Sequence, residues 1–214
     1  GLVYLGDILY TYKGDIPEGT ELEIPAHTKG IGAQAFINQP GLSKVWIPDG
    51  VKLLGQGIFN WCINLSEIKL PNGIKTIYTS TFKKCLSLKQ ITIPESVTVI
   101  ERAAFSGSGL QSVIIPSNVL TIGEIAFKDC VGLKQIILPD GLAYLGGGAF
   151  NGCTALVTAY LPASIQELRG YPFLNCNSLT CIFYDGSSAE QLIDKINVDQ
   201  IEQVKPSYRS APIF

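Results

Sequence analysis

The sequence contains no Met, a single His and few charged residues. Charged side chains make up 16% of the 214 residues, which is below the roughly 25% of an average protein. The 16 basic and 18 acidic residues leave a net charge of −2, so the chain has no electrostatic surplus for binding nucleic acid or an anionic membrane. No run approaches the ~20 apolar residues of a membrane-spanning helix, and we expect no membrane insertion. Because the chain begins at Gly1, we expect a processed N-terminus, as after removal of a signal peptide.

Sequence motifs of catalysis and cofactor binding are missing as well. There is no G-x-S-x-G motif around a serine, and the only histidine, His27, falls in a predicted exposed turn. No phosphate-binding G-x-x-x-x-G-K motif, dinucleotide fingerprint or C-x-x-C pair for zinc occurs. The acidic residues are scattered and form no evident pair for glycoside hydrolysis. We therefore expect no catalytic residue, no metal site and no cofactor.

A repeat dominates what the sequence does contain. An apolar residue followed by Pro recurs every 22 or 23 residues, at Ile24-Pro25, Ile47-Pro48, Leu70-Pro71, Ile93-Pro94, Ile115-Pro116, Leu138-Pro139 and Leu161-Pro162. A Phe keeps the same period at Phe36, Phe59, Phe82, Phe105, Phe127, Phe150 and Phe173. So does a Leu, at Leu42, Leu65, Leu88, Leu110, Leu133, Leu156 and Leu179. Three residue types that recur with the same period indicate one structural unit repeated along the chain.

One cycle is a residue shorter than the others. The loss falls between Phe105 and Leu110, where the segment Ser-Gly-Ser-Gly also lacks the Cys found in most other cycles. We place this segment in a turn, because turns absorb the loss of a residue most easily.

Each cycle approximates L-x-x-I-x-I-P-x-x-V-x-x-I-G-x-x-A-F-x-x-C. The alternation predicts a short strand with side chains such as Ile136 and Leu138 facing inward. Pro ends the strand because it cannot donate to a continuing ladder. A second apolar stretch (119–122 in one cycle) crosses the back, and Ala126-Phe127 begins a predicted short helical or 3₁₀ turn. One cycle cannot bury its own apolar face, so neighbouring cycles must stack.

The pattern L-x-x-L-x-L at this period is the leucine-rich-repeat signature. The additional I-P, I-G-x-x-A-F and Cys positions resemble the BspA-like repeats of bacterial surface proteins, from about Glu21 to Tyr184. Arg169 and Pro172 depart from the pattern in the last cycle. Period and resemblance together predict a right-handed leucine-rich-repeat solenoid, mainly β, with parallel strands on one face and short 3₁₀ or helical turns on the other. The resemblance implies a secreted or cell-surface protein that adheres to host extracellular proteins.

The predicted organisation has three parts. Residues 1–20 form an N-terminal hairpin cap around Gly6-Asp7, and residues 21–184 form seven leucine-rich repeats of 22 or 23 residues. Residues 185–214 form a C-terminal cap and tail, with a helix from a capping box at Ser187 through about Ile196 and a possible strand over 198–204. Such lids protect the apolar ends of a solenoid.

Five cysteines follow the repeated Phe by three residues: Cys62, Cys85, Cys130, Cys153 and Cys176. This register predicts one inward column of free thiols, since buried free Cys behaves as a small hydrophobe. Cys181 is different, because strand alternation turns its side chain outward.

The outward side chains of the strands are the candidate site. The residue before each strand-ending apolar position faces solvent, and we call this set the strand-face column: Trp46, Lys69, Thr92, Ile114, Ile137, Tyr160 and Phe183. Strands ~4.8 Å apart make the column about 30 Å long. A second outward column is mostly polar: Lys44, Glu67, Gln90, Ser112, Gln135, Thr158 and Cys181. Exposed aromatic and apolar side chains in this column indicate a surface that binds a partner. The alternative explanation is that such residues occur here only because they favour strands.

Three functional hypotheses follow. The first is a non-enzymatic module that binds a protein partner, such as a host extracellular or surface protein, through the strand-face column. The second is a structural spacer or self-association module within a larger surface protein. The third is a glycan hydrolase, which would need carboxylates that converge in the folded chain.

Overall fold

The computed structural model describes residues 1–184 and 203–206, and these residues form a parallel β-solenoid. In chain order the strands are β1 (Leu2–Leu5), β2 (Ile8–Tyr12), β3 (Thr20–Glu23), β4 (Gly30–Ile31), β5 (Leu42–Trp46), β6 (Leu53–Leu54), β7 (Glu67–Lys69), β8 (Thr76–Ile77), β9 (Val99–Ile100), β10 (Thr121–Ile122), β11 (Gln135–Ile137), β12 (Tyr144–Leu145), β13 (Thr158–Leu161), β14 (Glu167–Leu168), β15 (Cys181–Tyr184) and β16 (Gln203–Pro206).

Two stacks of strands run along the solenoid, one on each side of the core. The longer strands lie on the strand face, in the sheets β3-β5-β7 and β11-β13-β15-β16. The back strands of two residues extend the hairpin in β1-β2-β4-β6 and then form β8-β9-β10-β12-β14. Register follows the repeat, because Val45 pairs with Ile68, and Ile136 pairs with Ala159. The predicted parallel leucine-rich-repeat architecture is therefore confirmed.

Repeated apolar side chains fill the space between the two stacks. The seven Phe rings stack with centroids 5.1 to 5.8 Å apart and with planes tilted by 16° or less. The seven repeated Leu side chains are also buried. Val45 and Ile136 are fully buried, as the alternation predicted. One contiguous core thus joins all the cycles, and each coil buries its apolar face only against its neighbours.

The segment around the repeated Phe is not a helix. Alternate N–H groups donate to the next coil, as in Phe127 N–H to Ala149 O (2.7 Å) and Asp129 N–H to Asn151 O (2.7 Å). The N–H of Lys128, which lies between them, donates back to Ile125 O (3.1 Å). Ile125 and Asp129 adopt φ of 49° and 57°, which no right-handed helix allows. The segment therefore contains no helix, and the predicted 3₁₀ turn at Ala126-Phe127 is not confirmed, because the next coil takes half of the backbone hydrogen bonds that a helix would keep within the segment.

The column of cysteines is buried as predicted. Each thiol donates to the carbonyl oxygen of a Phe in the preceding coil. The distance is 3.0 Å from Cys62 Sγ to Phe36 O and 3.2 Å from Cys130 Sγ to Phe105 O. Burial raises the pKa of Cys62 and Cys130 to about 12. A small side chain with one weak donor therefore suits this position, where it satisfies a carbonyl inside an apolar core.

A hairpin lies at the N-terminal end of the described coils. β1 and β2 pair antiparallel and Leu5 lies opposite Ile8, so the turn is at Gly6-Asp7 as predicted. β2 then pairs parallel with β4, which joins the hairpin to the back stack. At the other end β16 pairs parallel with β15 and overlaps the predicted strand over 198–204 in two residues. The predicted helix from Ser187 to Ile196 lies outside the described residues.

Candidate functional site: the strand face

The strand-face column is built in two sections. Trp46 pairs with Lys69 in the first sheet, and Ile137, Tyr160 and Phe183 follow one another in the second. This parallel pairing places equivalent residues of successive coils side by side. Thr92 and Ile114 lie between the two sheets, in segments 90–92 and 112–114, which are not strands. The interruption lies beside the shortened cycle, and the residue types in it do not disfavour a strand.

The C-terminal section of the column is apolar. Ile114 has 74% of its surface exposed and Ile137 has 41%. Tyr160 and Phe183 are half-buried, with rings stacked at 4.5 Å between centroids and 12° between planes. Face-to-face contact holds the two rings against each other. The four side chains form an exposed apolar surface on successive coils, in a protein that buries its other repeated apolar columns.

The N-terminal section of the column, Trp46 and Lys69, lies beside paired charged side chains and is the more polar of the two sections. Lys44 Nζ lies 2.8 Å from Glu21 Oε1 and 3.9 Å from Glu67 Oε2. The hydrogen bond and the charge of Glu21 raise the pKa of Lys44. Trp46 is half-buried, and Lys69 beside it in the sheet is exposed. Salt bridges between exposed groups contribute little to stability, so these residues set the charge of the surface more than they hold the fold.

Glu21 and Glu67 are two strand-face carboxylates on which the glycan hydrolase hypothesis can be examined. They converge on one side of the molecule, but the Lys44 ammonium lies between them. A glycosidase needs that space for the sugar oxygen and, in inverting enzymes, for a water molecule. The geometry at Glu21 and Glu67 therefore fits an ion pair with Lys44 better than an acid–base pair for hydrolysis.

A cleft of about 490 Å³ opens where the strand face is interrupted. It is lined by residues 66–68, 90–92 and 112–114, including Glu67, Thr92 and Ile114. The cleft separates the polar section of the column from the apolar section. Sequence reasoning missed it because every cycle here keeps the apolar pattern of a strand. The one available signal was the shortened cycle next to it.

His27 is exposed and lies against Tyr4, with ring centroids 5.0 Å apart. Tyr4 in turn bonds to Thr28 through their hydroxyl groups at 2.8 Å. The predicted exposed turn histidine is confirmed, and it packs the hairpin against the first coil. Within residues 1–184 and 203–206, no group of three His, Cys, Asp or Glu side chains is placed to hold a metal ion. The same residues include no helix of the length and hydropathy that crossing a membrane requires.

The repeat sequence matches an established family model. The model describes the BspA type leucine-rich repeat region and matches six copies over residues 10–134 and 100–197. The stacked coils define the class of protein as a leucine-rich-repeat solenoid. The chain belongs to the BspA-type leucine-rich-repeat family, whose fold is typical of non-catalytic scaffolds and protein-interaction modules. No curated protein matches the chain.

Solved structures of bacterial leucine-rich-repeat proteins share the fold. A leucine-rich repeat protein from Bacteroides ovatus is 29% identical over 84% of this chain and 50% of its own, with a TM-score of 0.71. The T. pallidum leucine-rich repeat protein is 25% identical over 82% of this chain and 72% of its own, with a TM-score of 0.56. One from Eubacterium ventriosum is 26% identical over 78% and 48%, with a TM-score of 0.53. The chain thus spans half the length of the Bacteroides ovatus structure that it matches.

Proposed function

We propose that this chain is a non-enzymatic protein-binding module of a secreted or cell-surface bacterial protein. Its partner is a host extracellular or surface protein, bound through the strand-face column. The family supports a role in protein interaction, and Glu21 and Glu67 on the strand face are engaged by Lys44. The strand face supports the location, because it presents apolar side chains outward on a rigid stack.

The exposed apolar section from Ile114 to Phe183 carries the proposal. A solenoid gains little stability from an Ile that keeps 74% of its surface exposed. Contiguous exposed apolar surface of this kind marks interaction sites, and aromatic anchors such as Tyr160 dominate binding energy at interfaces. The stacked rings of Tyr160 and Phe183 are already ordered, which lowers the entropic cost of binding.

The test begins with capture of partners from host matrix and epithelial surface proteins, followed by affinity measurement against the partner obtained. Two double variants probe the column: Trp46→Ser with Tyr160→Ser, and Ile114→Ser with Tyr160→Ser. The matched control is Leu53→Ser with Leu120→Ser, which removes side chains exposed by 64% and 49% near the back strands. Loss of each hot-spot side chain weakens binding by about tenfold or more, whereas the control leaves affinity within about twofold.

Two outcomes contradict the proposal. Retained affinity in both column variants, with unchanged thermal melting, shows that the partner binds elsewhere. A stable oligomer of the unmodified chain in light scattering, dispersed by Ile114→Ser with Tyr160→Ser, shows instead that the column joins copies of this chain. That second result supports the spacer or self-association module, because the same apolar surface would then be covered by another solenoid.

A further inference from the structure

A second concave site lies away from the strand-face column, at the turns that lead into the strands. It is a recess of about 660 Å³ that extends from the coil of Phe82 to the coil of Phe173, and we call it the basic recess. Its lining includes Lys84, Lys89 and Lys128. The volume falls within the roughly 300–1,000 Å³ of typical ligand sites. None of the seven residues of the strand-face column lines it.

The shortened cycle forms the floor of the basic recess. Gly107, Ser108 and Gly109 line it, and they belong to the segment between Phe105 and Leu110 that is one residue shorter than in other cycles. A Cβ at Gly109 would lie 1.9 Å from Leu86 O, so only glycine lets the chain pass this close to the preceding coil. Ser108 takes the place of the repeated Cys and contacts Cys130 Sγ at 3.3 Å. The shortened cycle thus presents backbone and small side chains to the recess.

Two lysine ammonium groups are held over this floor. The Lys84 side chain passes over Gly107. A Cβ added at Gly107 would lie 2.7 Å from the Nζ of Lys84 and 2.8 Å from its Cδ. Lys89 Nζ donates to Leu86 O at 3.2 Å and lies beside Gly109. Neither lysine forms an ion pair with a carboxylate in the part of the chain that the structure describes, whereas Lys128 lies 4.0 Å from the carboxylate of Asp129. The recess therefore carries a local positive charge in a protein whose net charge is −2.

The lining also includes the carboxylate of Asp129, which pairs with Lys128, and neutral side chains that are chiefly of two kinds. Amide groups of Gln111, Asn151 and Asn175 line the recess, and Asn175 Nδ2 donates to Asn151 Oδ1 at 3.1 Å. Leu86 and Val131 add apolar surface, with 48% and 58% of their own surface exposed. Amides bond to hydroxyl groups in either direction, and short apolar side chains suit the C–H faces of sugar rings. The lining contains no aromatic ring on which a nucleobase could stack.

From this combination we infer that the basic recess binds an anionic saccharide, with its sulfate or carboxylate between Lys84 and Lys89 and its hydroxyl groups on the amides. Charge-assisted hydrogen bonds to two ammonium groups supply the main attraction. The site is independent of the strand face, so the chain can hold a glycan and a protein partner at the same time.

The test measures binding of three defined probes to the whole chain by calorimetry: a sulfated heparin-derived tetrasaccharide, sialyllactose and neutral lactose. Backbone amide shifts locate the site by NMR. We expect at least one anionic probe to bind, with shifts centred on Gly107 and Gly109, and no binding of lactose. Lys84→Gln with Lys89→Gln weakens that binding by about tenfold or more. The control, Lys29→Gln with Lys75→Gln, removes the same charge elsewhere and changes the affinity by less than about twofold.

Several results would overturn the inference. One is the failure of both anionic saccharides to bind the unmodified chain. Another is an equal loss in the two double variants, which would indicate unspecific attraction to lysine. A glutamate-rich peptide that binds the recess more tightly than either saccharide would assign the site to acidic protein segments. Thermal melting checks that the variants stay folded, and Lys89→Gln alone serves if the double variant does not.

Discussion

Truncation of one ring in the Phe stack tests how the solenoid is held together. Phe127 is fully buried between Phe105, at 5.1 Å, and Phe150, at 5.2 Å between ring centroids. Phe127→Ala removes the buried ring and leaves a cavity, at a cost of about 3–5 kcal/mol. That is a large fraction of the roughly 5–15 kcal/mol that stabilises a typical domain.

The position along the stack sets the difference between two equivalent truncations. Phe173 is 5% exposed and stacks on Phe150 alone in the described part of the chain, at 5.5 Å. Phe173→Ala removes one ring contact, whereas Phe127→Ala removes two. Each such contact contributes about 0.5–1.5 kcal/mol beyond burial, so Phe127→Ala should be the more destabilising by about 1 kcal/mol.

Urea unfolding followed by far-ultraviolet circular dichroism measures both costs. A cavity in the middle of a one-dimensional stack also weakens the coupling between its two halves, so Phe127→Ala should broaden or split the transition. Phe127→Leu is the milder control, because it keeps most of the buried apolar volume. Equal losses for Phe127→Ala and Phe173→Ala, with one sharp transition in both, would refute additive stacking between neighbouring coils.

Two further predictions concern the turns and the thiols. Gly148 adopts φ of 61°, so we expect Gly148→Ala to lower the free energy of unfolding by about 1 kcal/mol. Gly147 has an ordinary φ, so Gly147→Ala should change it by less than about 0.5 kcal/mol. Equal losses of stability for the two variants in urea unfolding would contradict a requirement for glycine at the left-handed position. We also expect a thiol reagent at neutral pH to label one cysteine of the native chain, the half-buried Cys181, and all six cysteines after unfolding. The reason is that burial raises the pKa of thiols such as Cys85 and keeps the reagent from reaching them. Rapid native labelling of more than one thiol, counted by mass spectrometry, would show that the cysteine column is open to solvent.

The prediction of the inward columns from sequence succeeded for a simple reason. Side chains that alternate along a strand and recur at a fixed period must occupy equivalent places in successive coils. Val45, Ile136 and the repeated Phe are therefore buried as expected. The same logic placed Lys44 beside Glu67 and Ile137 beside Tyr160, because register in a solenoid is set by the repeat itself.

Backbone hydrogen bonding around Ala126-Phe127 could not be predicted in this way. Apolar spacing shows which side chains are buried, but a helical turn and a turn bonded to the next coil bury the same residues. Donation from Phe127 N–H to Ala149 O decides between them, and it depends on the neighbouring coil being in place. The left-handed φ of Ile125, unfavourable for a β-branched residue, persists because the stack on both sides imposes it.

The candidate sites divide along the same line. The sequence alone determined the solenoid and which side chains face outward, from Trp46 to Phe183, because both follow from period and alternation. The tertiary structure decided how those residues combine into surfaces. It separated the polar and apolar sections of the column by a cleft and placed the shortened cycle at the floor of a recess beneath Lys84 and Lys89. Such features arise from contacts between coils about 22 residues apart, which no single cycle encodes.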